Sequence, residues 1–501
     1  MSRLAIIPCA ARASLRESLA SQAARPDRPH LRVRGRVDDR GFAVSQALLS
    51  LTRLTVPAVL TYTAIVGSAF ALLVPPFEGP DEPAHLAYVD FIATQAALPD
   101  QYDPHRPLTG HEISPTEGHQ PPLYYAAAAL LLRLTRQAPC MASPPLPNPL
   151  HAWNGRGGTR TDVPMFQQPD GAVRRAVDYP CLVLLRASSV LLGVLHVAAV
   201  LALSRHFLAG HWRLLPAVFV ATLPQFLFMS GMVNNDALAN LLSALCILCV
   251  LRLLDHPDRV VRSFLLGLLL GLAVLTKKTA LFVLPVIAVL AGCIAYRHRA
   301  HPVRIAATIA FAMTVALLVC GWWFARGAFL YGDPLGSQME KATLATLVQE
   351  KSLRSPYFTG LFPREFSWSL VAAFGWMQVG LPEPVYWGYA SLGGLGAAGL
   401  PLSLRAGQLP AAKAAFAALS VLSCFAGIVV YNLTFSQPQG RFLFPVLGLL
   451  AIFLSAGVQA LLVRLPRPRL TAAAVGALVA ALVLVDCLSL ASVVRFYSGA
   501  P

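Results

Sequence analysis

The chain has 501 residues, of which 56% are hydrophobic and only 13% charged. A soluble domain carries roughly twice that charged fraction, and apolar runs of about twenty residues, each long enough to cross a bilayer, recur along the chain; a soluble globular protein is excluded. The net charge of +16 lies mostly in the N-terminal stretch and in short connections, which fits cytoplasmic anchoring and argues against a nucleic-acid partner.

Residues 1–53 carry Arg12, Arg16, Arg25, Arg28, Arg32, Arg34, Arg36 and Arg40 without a long apolar run. They read as a basic, disordered cytoplasmic tail, lacking the apolar core and cleavage site of a signal peptide. Residues 54–501 form the transmembrane domain. Spans are predicted at 54–76, 182–204, 214–232, 236–254, 263–276, 279–297, 304–327, 386–404, 412–432, 441–462 and 470–490. Two weaker apolar pieces, 121–134 and 366–381, read as juxtamembrane or re-entrant helices in outer loops. The expected fold is an all-α polytopic bundle of about 11 transmembrane helices.

Positive charge orients the set. With the N-terminus inside, the inner connections hold Arg205, His206 and Arg213, then Arg259 and Arg262, then Arg297, His298, Arg299 and Arg304, then Arg405 and Lys413, then Arg464, Arg467 and Arg469. The C-terminus is then outside. The outer side receives a first large loop, 77–181, the junction Asn234-Asn235-Asp236, the pair Lys277-Lys278, a second large loop, 328–385, and the turn Gln437–Arg441.

That side collects the polar oddities of the chain. The run from Glu78 packs Glu78, Asp81, Glu82 and His85 into eight residues beside the first apolar helix. Acidic groups are costly at a membrane boundary and need a reason to be there. Lys277, Lys278, Arg326 and Arg441 sit at outer helix ends, against the usual bias. Each alone reads as well as a snorkelling anchor; together, beside carboxylates, they favour a site for an anionic group such as phosphate. Only Cys140 and Cys181 of the nine cysteines are clearly outside. A disulfide between them is one reading in an oxidising compartment, and free thiols remain the other.

Four stretches, Pro80-Asp81-Glu82-Pro83-Ala84-His85, Gln120-Pro121-Pro122-Leu123-Tyr124-Tyr125, Asn235-Asp236 and Gln439-Gly440-Arg441-Phe442-Leu443-Phe444-Pro445, together with Phe374-Gly375-Trp376-Met377, carry a family likeness. In order and spacing, over roughly residues 54–460, they resemble the GT-C superfamily of membrane glycosyltransferases and, within it, the bacterial DUF2142 group. The resemblance implies a GT-C-like bundle in the bacterial inner membrane with a periplasmic active site. It also implies transfer of a sugar, with inversion, from a polyprenyl-phosphate-linked donor to a glycan, lipid or protein acceptor.

Such chemistry needs a carboxylate to take or orient the acceptor proton, cations to stabilise the leaving phosphate, and a cavity at membrane level. Asp81 is the expected base, with Glu82 the alternative and Asp236 a supporting catalytic carboxylate. Helix capping is the bland reading of both aspartates. His85, His119, Gln120, Asn235, Lys277, Lys278, Gln439 and Arg441 are the expected substrate contacts, Arg441 foremost because its planar guanidinium grips two oxygens. No metal or other cofactor is expected: a divalent ion on Asp81, Glu82, His85 and Asp236 is conceivable, but no spacing demands it. The competing class is a transporter or flippase of lipid-linked saccharides. It is disfavoured because the acidic residues gather at one interface and the two halves show no repeat.

Overall fold

The computed structural model describes residues 39–99, 117–142, 146–153, 156–157, 160–167, 174–255, 260–285, 287, 302–345 and 347–499. The tail over 1–38, most of the expected span 279–297 and the basic connection 297–299 lie outside these residues. The chain divides into two compact units, Met1–Leu51 and Thr52–Pro501. Of the first, only residues 39–51 are described, and they are helical, where the sequence had suggested an unstructured tail.

Helix α1 covers Asp39–Leu73, α2 Glu82–Gln95, α3 Leu123–Leu134, α4 Pro180–Ser204, α5 Leu215–Ala221, α6 Pro224–Ser230, α7 Asp236–Asp255 and α8 Val260–Thr276. The second half holds α9 Pro302–Tyr331, α10 Ser337–Thr343, α11 Phe362–Val371, α12 Glu383–Arg405, α13 Ala411–Thr434, α14 Leu447–Leu462 and α15 Pro468–Ser498. Two minimal antiparallel pairs, Leu146–Pro147 with Phe166–Gln167 and Ala152–Trp153 with Arg156–Gly157, lie between α3 and α4. The chain is thus an all-α polytopic protein, as the apolar runs imply.

Seven described helices are long and apolar enough to cross a membrane, eight if one bent pair counts as a span. The bent pair is the expected span 214–232: α5 and α6 meet at 66° because Pro224 supplies no backbone N–H and disfavours a helical Leu223. Two other expected spans fall short of this standard. Helix α8 has only 17 residues, and α12, with 23, is diluted by glycine and polar residues. The weak piece 121–134 is helix α3, and 366–381 is the end of α11 followed by a turn.

Buried apolar side chains form one large cluster through the bundle and a second among α2, α3 and the start of α4, around Phe77, Tyr88, Tyr125, Leu182 and Leu185. The second cluster is fastened by a Cys140–Cys181 disulfide, Cα atoms 5.7 Å apart, which ties the connection after α3 to the start of α4. Away from the outer segments, Asp255 pairs with Lys413 at 2.9 Å and with His206 at 3.5 Å. Three connections assigned to one side by charge therefore meet.

Candidate active site

Asp81 and Glu82 are neighbours with opposite fates. The turn before α2 holds Asp81 at φ 60°, ψ 6°, left-handed backbone that Asp tolerates better than most residues. Its side chain makes no capping bond to α2. Instead Oδ2 accepts from Arg441 Nη2 at 2.7 Å. The capping reading of Asp81 is set aside by this geometry.

Glu82 is corrected outright. Its carboxylate is fully buried against Arg186, with Nη2 to Oε2 at 2.6 Å and Nε to Oε1 at 2.9 Å. The backbone N–H groups of Phe77 and Val233 donate to the same carboxylate at 3.1 and 3.0 Å. Arg186 directs its remaining donors to the carbonyls of Ala71, in the last turn of α1, and of Val74 and Pro75 just past its end. Five guanidinium donors and both carboxylate oxygens are satisfied, so Glu82 has nothing left to offer a substrate. Its role is to join α1, the 77–82 turn, α4 and the segment before α7.

Arg441 is carried by a 3₁₀ turn, Gly440–Val446, at the entry to α14. Gly440 is required there: a Cβ at this position would stand 2.3 Å from Leu370 N of α11, and its own N–H donates to Ser369 Oγ at 2.8 Å. Gln439 Oε1 accepts from Arg441 Nε at 2.5 Å and sets the plane of the guanidinium. Nη1 reaches Asp236 Oδ2 at 3.7 Å, so a single arginine stands between the two aspartates.

Asp236 opens α7 but does not cap it; Asn234 Oδ1 accepts from Ala237 N at 3.1 Å and takes that role. The Asp236 carboxylate, 10% exposed, is instead paired with Lys277, which follows α8, and faces Arg441. Lys277 lies 5.6 Å and the Arg441 guanidinium 5.5 Å from the Phe442 ring, which holds both cations over one aromatic face. With its side chain 37% exposed, Asp81 is the more accessible carboxylate. Among the described residues no three His, Cys, Asp or Glu side chains converge as a metal-ligand set.

A second layer joins the expected contacts His85, Gln120 and Asn235 to one residue the sequence reading had not picked out, Glu117. Glu117 is hydrogen-bonded to Gln120 Nε2, and Asn235 Nδ2 donates to Gln120 Oε1. Asn235 Oδ1 is buried with no hydrogen-bond partner among the described residues, an acceptor waiting for a donor. Burial, then the charge of Asp81, pushes the Glu117 carboxyl up to about 8. His85 stacks on Tyr125, its Nδ1 2.9 Å from the Tyr125 hydroxyl. Burial pulls its pKa down to about 4, so it is a neutral hydrogen-bonding group facing the cluster, not a cation.

Two expected contacts, Lys278 and His119, lie elsewhere. Lys278 turns from Asp236 to Glu340 on α10, at 2.6 Å, and to Leu335 O, at 3.0 Å. It fastens the segment around α10 rather than joining Lys277. Tyr431 donates to the same Glu340 at 3.3 Å. His119 is buried, with its backbone against Gly336. Glu78, which begins the acidic run, is an anchor: it accepts from Phe166 N at 2.8 Å, Tyr497 Oη at 3.2 Å and Gln378 Nε2 at 3.3 Å. Burial raises its carboxyl to about 7.

The site therefore alternates charge: Asp81, Arg441, Asp236, Lys277, each touching the next. It offers an accessible carboxylate beside two cations that an incoming anion can draw toward itself. Arg326, the fourth cation grouped with these by sequence, has its guanidinium 5.5–5.6 Å from the Tyr331 and Trp323 rings with Nη1 buried and unpartnered among the described residues.

Among solved structures the chain is similar to ArnT from Cupriavidus metallidurans in the apo state, at 12% identity and a TM-score of 0.48, covering 82% of this chain and 60% of that one. The same enzyme bound to undecaprenyl phosphate gives 12% identity and 0.48, covering 90% and 75%. The archaeal oligosaccharyltransferase AglB from Archaeoglobus fulgidus, in complex with an inhibitory peptide and a dolichol-phosphate, gives 13% and 0.47, covering 89% and 56%. No curated protein matches the chain. A family model for predicted membrane proteins, DUF2142, matches residues 179–450, more than half of the chain, and takes in Asp236, Lys277 and Arg441 while leaving Asp81 and Glu117 outside. The chain belongs to the DUF2142 family of predicted membrane proteins.

Proposed function

We propose that the protein is a membrane glycosyltransferase that moves a sugar from a polyprenyl-phosphate-linked donor to an envelope acceptor at the outer face of the bacterial inner membrane. The observation that carries this reading is the sharing of Arg441 between Asp81 and Asp236, with Lys277 on the far side. In the reaction Asp81 takes the proton of the acceptor hydroxyl as its oxygen bonds to the sugar C1. The bond from C1 to the phosphate oxygen breaks, and polyprenyl phosphate leaves with the electron pair. Arg441 and Lys277 stabilise the charge that develops there. Attack from the face opposite the phosphate inverts the anomeric centre. Asp236 holds the two cations in register, and Asn235 Oδ1 accepts a hydroxyl of donor or acceptor.

The test is mass spectrometry of lipids that co-purify with wild type, Asp81→Asn and Arg441→Ala. The expected result is a polyprenyl-phosphate sugar held by wild type and Asp81→Asn and lost from Arg441→Ala. Absence of polyprenyl species from all three would remove the donor from the reading.

A further inference from the structure

A second feature of the molecule is a slot of about 770 Å³ whose lining includes none of Asp81, Asp236, Lys277 and Arg441. Its walls come from α5, α11, α12 and α14. Along α12 the lining runs from Glu383 to Leu400, about 25 Å of helix at 1.5 Å per residue. That exceeds the depth of one leaflet, about half of a 30 Å hydrocarbon core. The slot exists because α12 and α14 are pressed together at one end. A Cβ on Gly399 would lie 2.0 Å from Gly457 O, and one on Gly457 would lie 1.9 Å from Gly396 O. Backbone contact at these glycines closes the slot toward that end of α12.

The slot is shaped like an amphiphile. Its ionic groups are Arg364, which stands over Trp368 where that ring stacks on Tyr386 at 5.2 Å, and Glu383, one turn before Tyr386; from Tyr386 to Leu400 the α12 lining is aromatic, aliphatic or glycine. Trp387, 65% exposed, donates from Nε1 to Glu383 Oε1 at 3.1 Å, as a tryptophan at headgroup level does. The Arg364 guanidinium stands 4.6 Å from the Trp368 ring. No ion pair joins Arg364 to Glu383 among the described residues. An apolar chain gains little by leaving lipid for an apolar slot, so the headgroup decides which lipid enters.

We propose that this slot is the binding site of a zwitterionic aminophospholipid, one acyl chain in the slot, its phosphate on Arg364 and its ammonium on Glu383. A polyprenyl phosphate carries no cation to meet Glu383, and its phosphate would be repelled by that carboxylate. The bound lipid packs on α11 at Leu370, the residue whose backbone Gly440 abuts and next to Ser369, which holds the Gly440 N–H. It thereby steadies the turn that presents Arg441. The inference concerns a lipid other than the donor and does not depend on the transferase reading.

Its test is native mass spectrometry of delipidated protein in detergent, with dioleoylphosphatidylethanolamine, dioleoylphosphatidylglycerol or undecaprenyl phosphate added back. The first two share chains and phosphate and differ in the amine. Wild type is expected to retain the ethanolamine lipid at least tenfold better than the glycerol lipid. Glu383→Gln should erase that preference. Arg364→Ala should lose both lipids, and Arg364→Lys should restore binding. Arg441→Ala should bind the ethanolamine lipid as wild type does, separating this site from the transfer site. A melting curve for each variant verifies that it is folded. Equal retention of the two phospholipids by wild type, displacement of the ethanolamine lipid by equimolar undecaprenyl phosphate, or no retained lipid would each overturn the proposal.

Discussion

Asp81 and Glu82 leave the same turn in opposite directions, and the contrast separates what builds this molecule from what it is built to do. Glu82 goes inward, meets every donor it can accept from, and is closed to solvent. Asp81 goes outward from a strained left-handed residue, shares a cation that it does not own, and keeps a third of its surface open. A buried ion pair costs desolvation and repays it only when every group is satisfied. The Glu82–Arg186 pair meets that condition. The Asp81–Arg441 pair does not, and such incompleteness is what a substrate-binding site requires.

The comparison can be broken most forcefully at its buried half. Glu82→Gln leaves the Arg186 charge unpaired in the interior and is expected to cost about 3–5 kcal/mol, read as a fall in melting temperature or in the yield of folded protein. Asp81→Asn is expected to do the reverse. Asparagine tolerates the left-handed backbone, so stability should stay within about 0.5 kcal/mol of wild type. Turnover of a polyprenyl-phosphate sugar should drop by about 10²–10⁴-fold. If both variants lost stability alike, the distinction between the two carboxylates would fail.

Arg441→Lys comes next. A lysine keeps the charge but cannot bridge Asp81 and Asp236 at once, so turnover should fall by about 10²-fold with the melting curve little changed. Glu117→Gln is the smallest effect and appears only in the pH profile. The Glu117 carboxyl, raised to about 8, is neutral below that pH; above it, ionisation adds a negative charge beside Asp81 and opposes the donor phosphate. Wild-type kcat/KM should therefore decline as pH rises through about 8, and the glutamine variant should lack that decline. A shared alkaline limb would place the responsible group elsewhere.

Much of the site could be read from the chain because membrane topology sorts polar residues before any contact is known. Asp81, Asn235, Asp236, Lys277 and Arg441 lie far apart in sequence, yet charge bias in the connections assigns them to one side, and the structure brings them together. Direction within a turn was not legible. Two adjacent carboxylates look equivalent until their backbone dihedrals are known. A sharper reading was available at Arg186, a lone charge inside the apolar run 182–204, which demands a buried anion. Glu117 stayed hidden because its partner Gln120 looked like part of a proline motif. Lys278 was grouped with Lys277 by adjacency, but a 3₁₀ turn beginning at Lys278 sends the two side chains to different carboxylates. The span count was limited by Pro224, which breaks one apolar run into two short helices.

The most direct measurement is a single-turnover assay. Purified wild type, Asp81→Asn and Glu82→Asp, each verified as folded, would be loaded with a radiolabelled polyprenyl-phosphate sugar drawn from the cell envelope. Acceptor would be supplied as an envelope extract, and the rates at which label enters it and free polyprenyl phosphate appears would then be followed. The account predicts that Asp81→Asn binds donor as wild type does but releases polyprenyl phosphate at least about 10²-fold more slowly, while the folded fraction of Glu82→Asp releases it near the wild-type rate. Release by Asp81→Asn at the wild-type rate would contradict the assignment of Asp81 as the base.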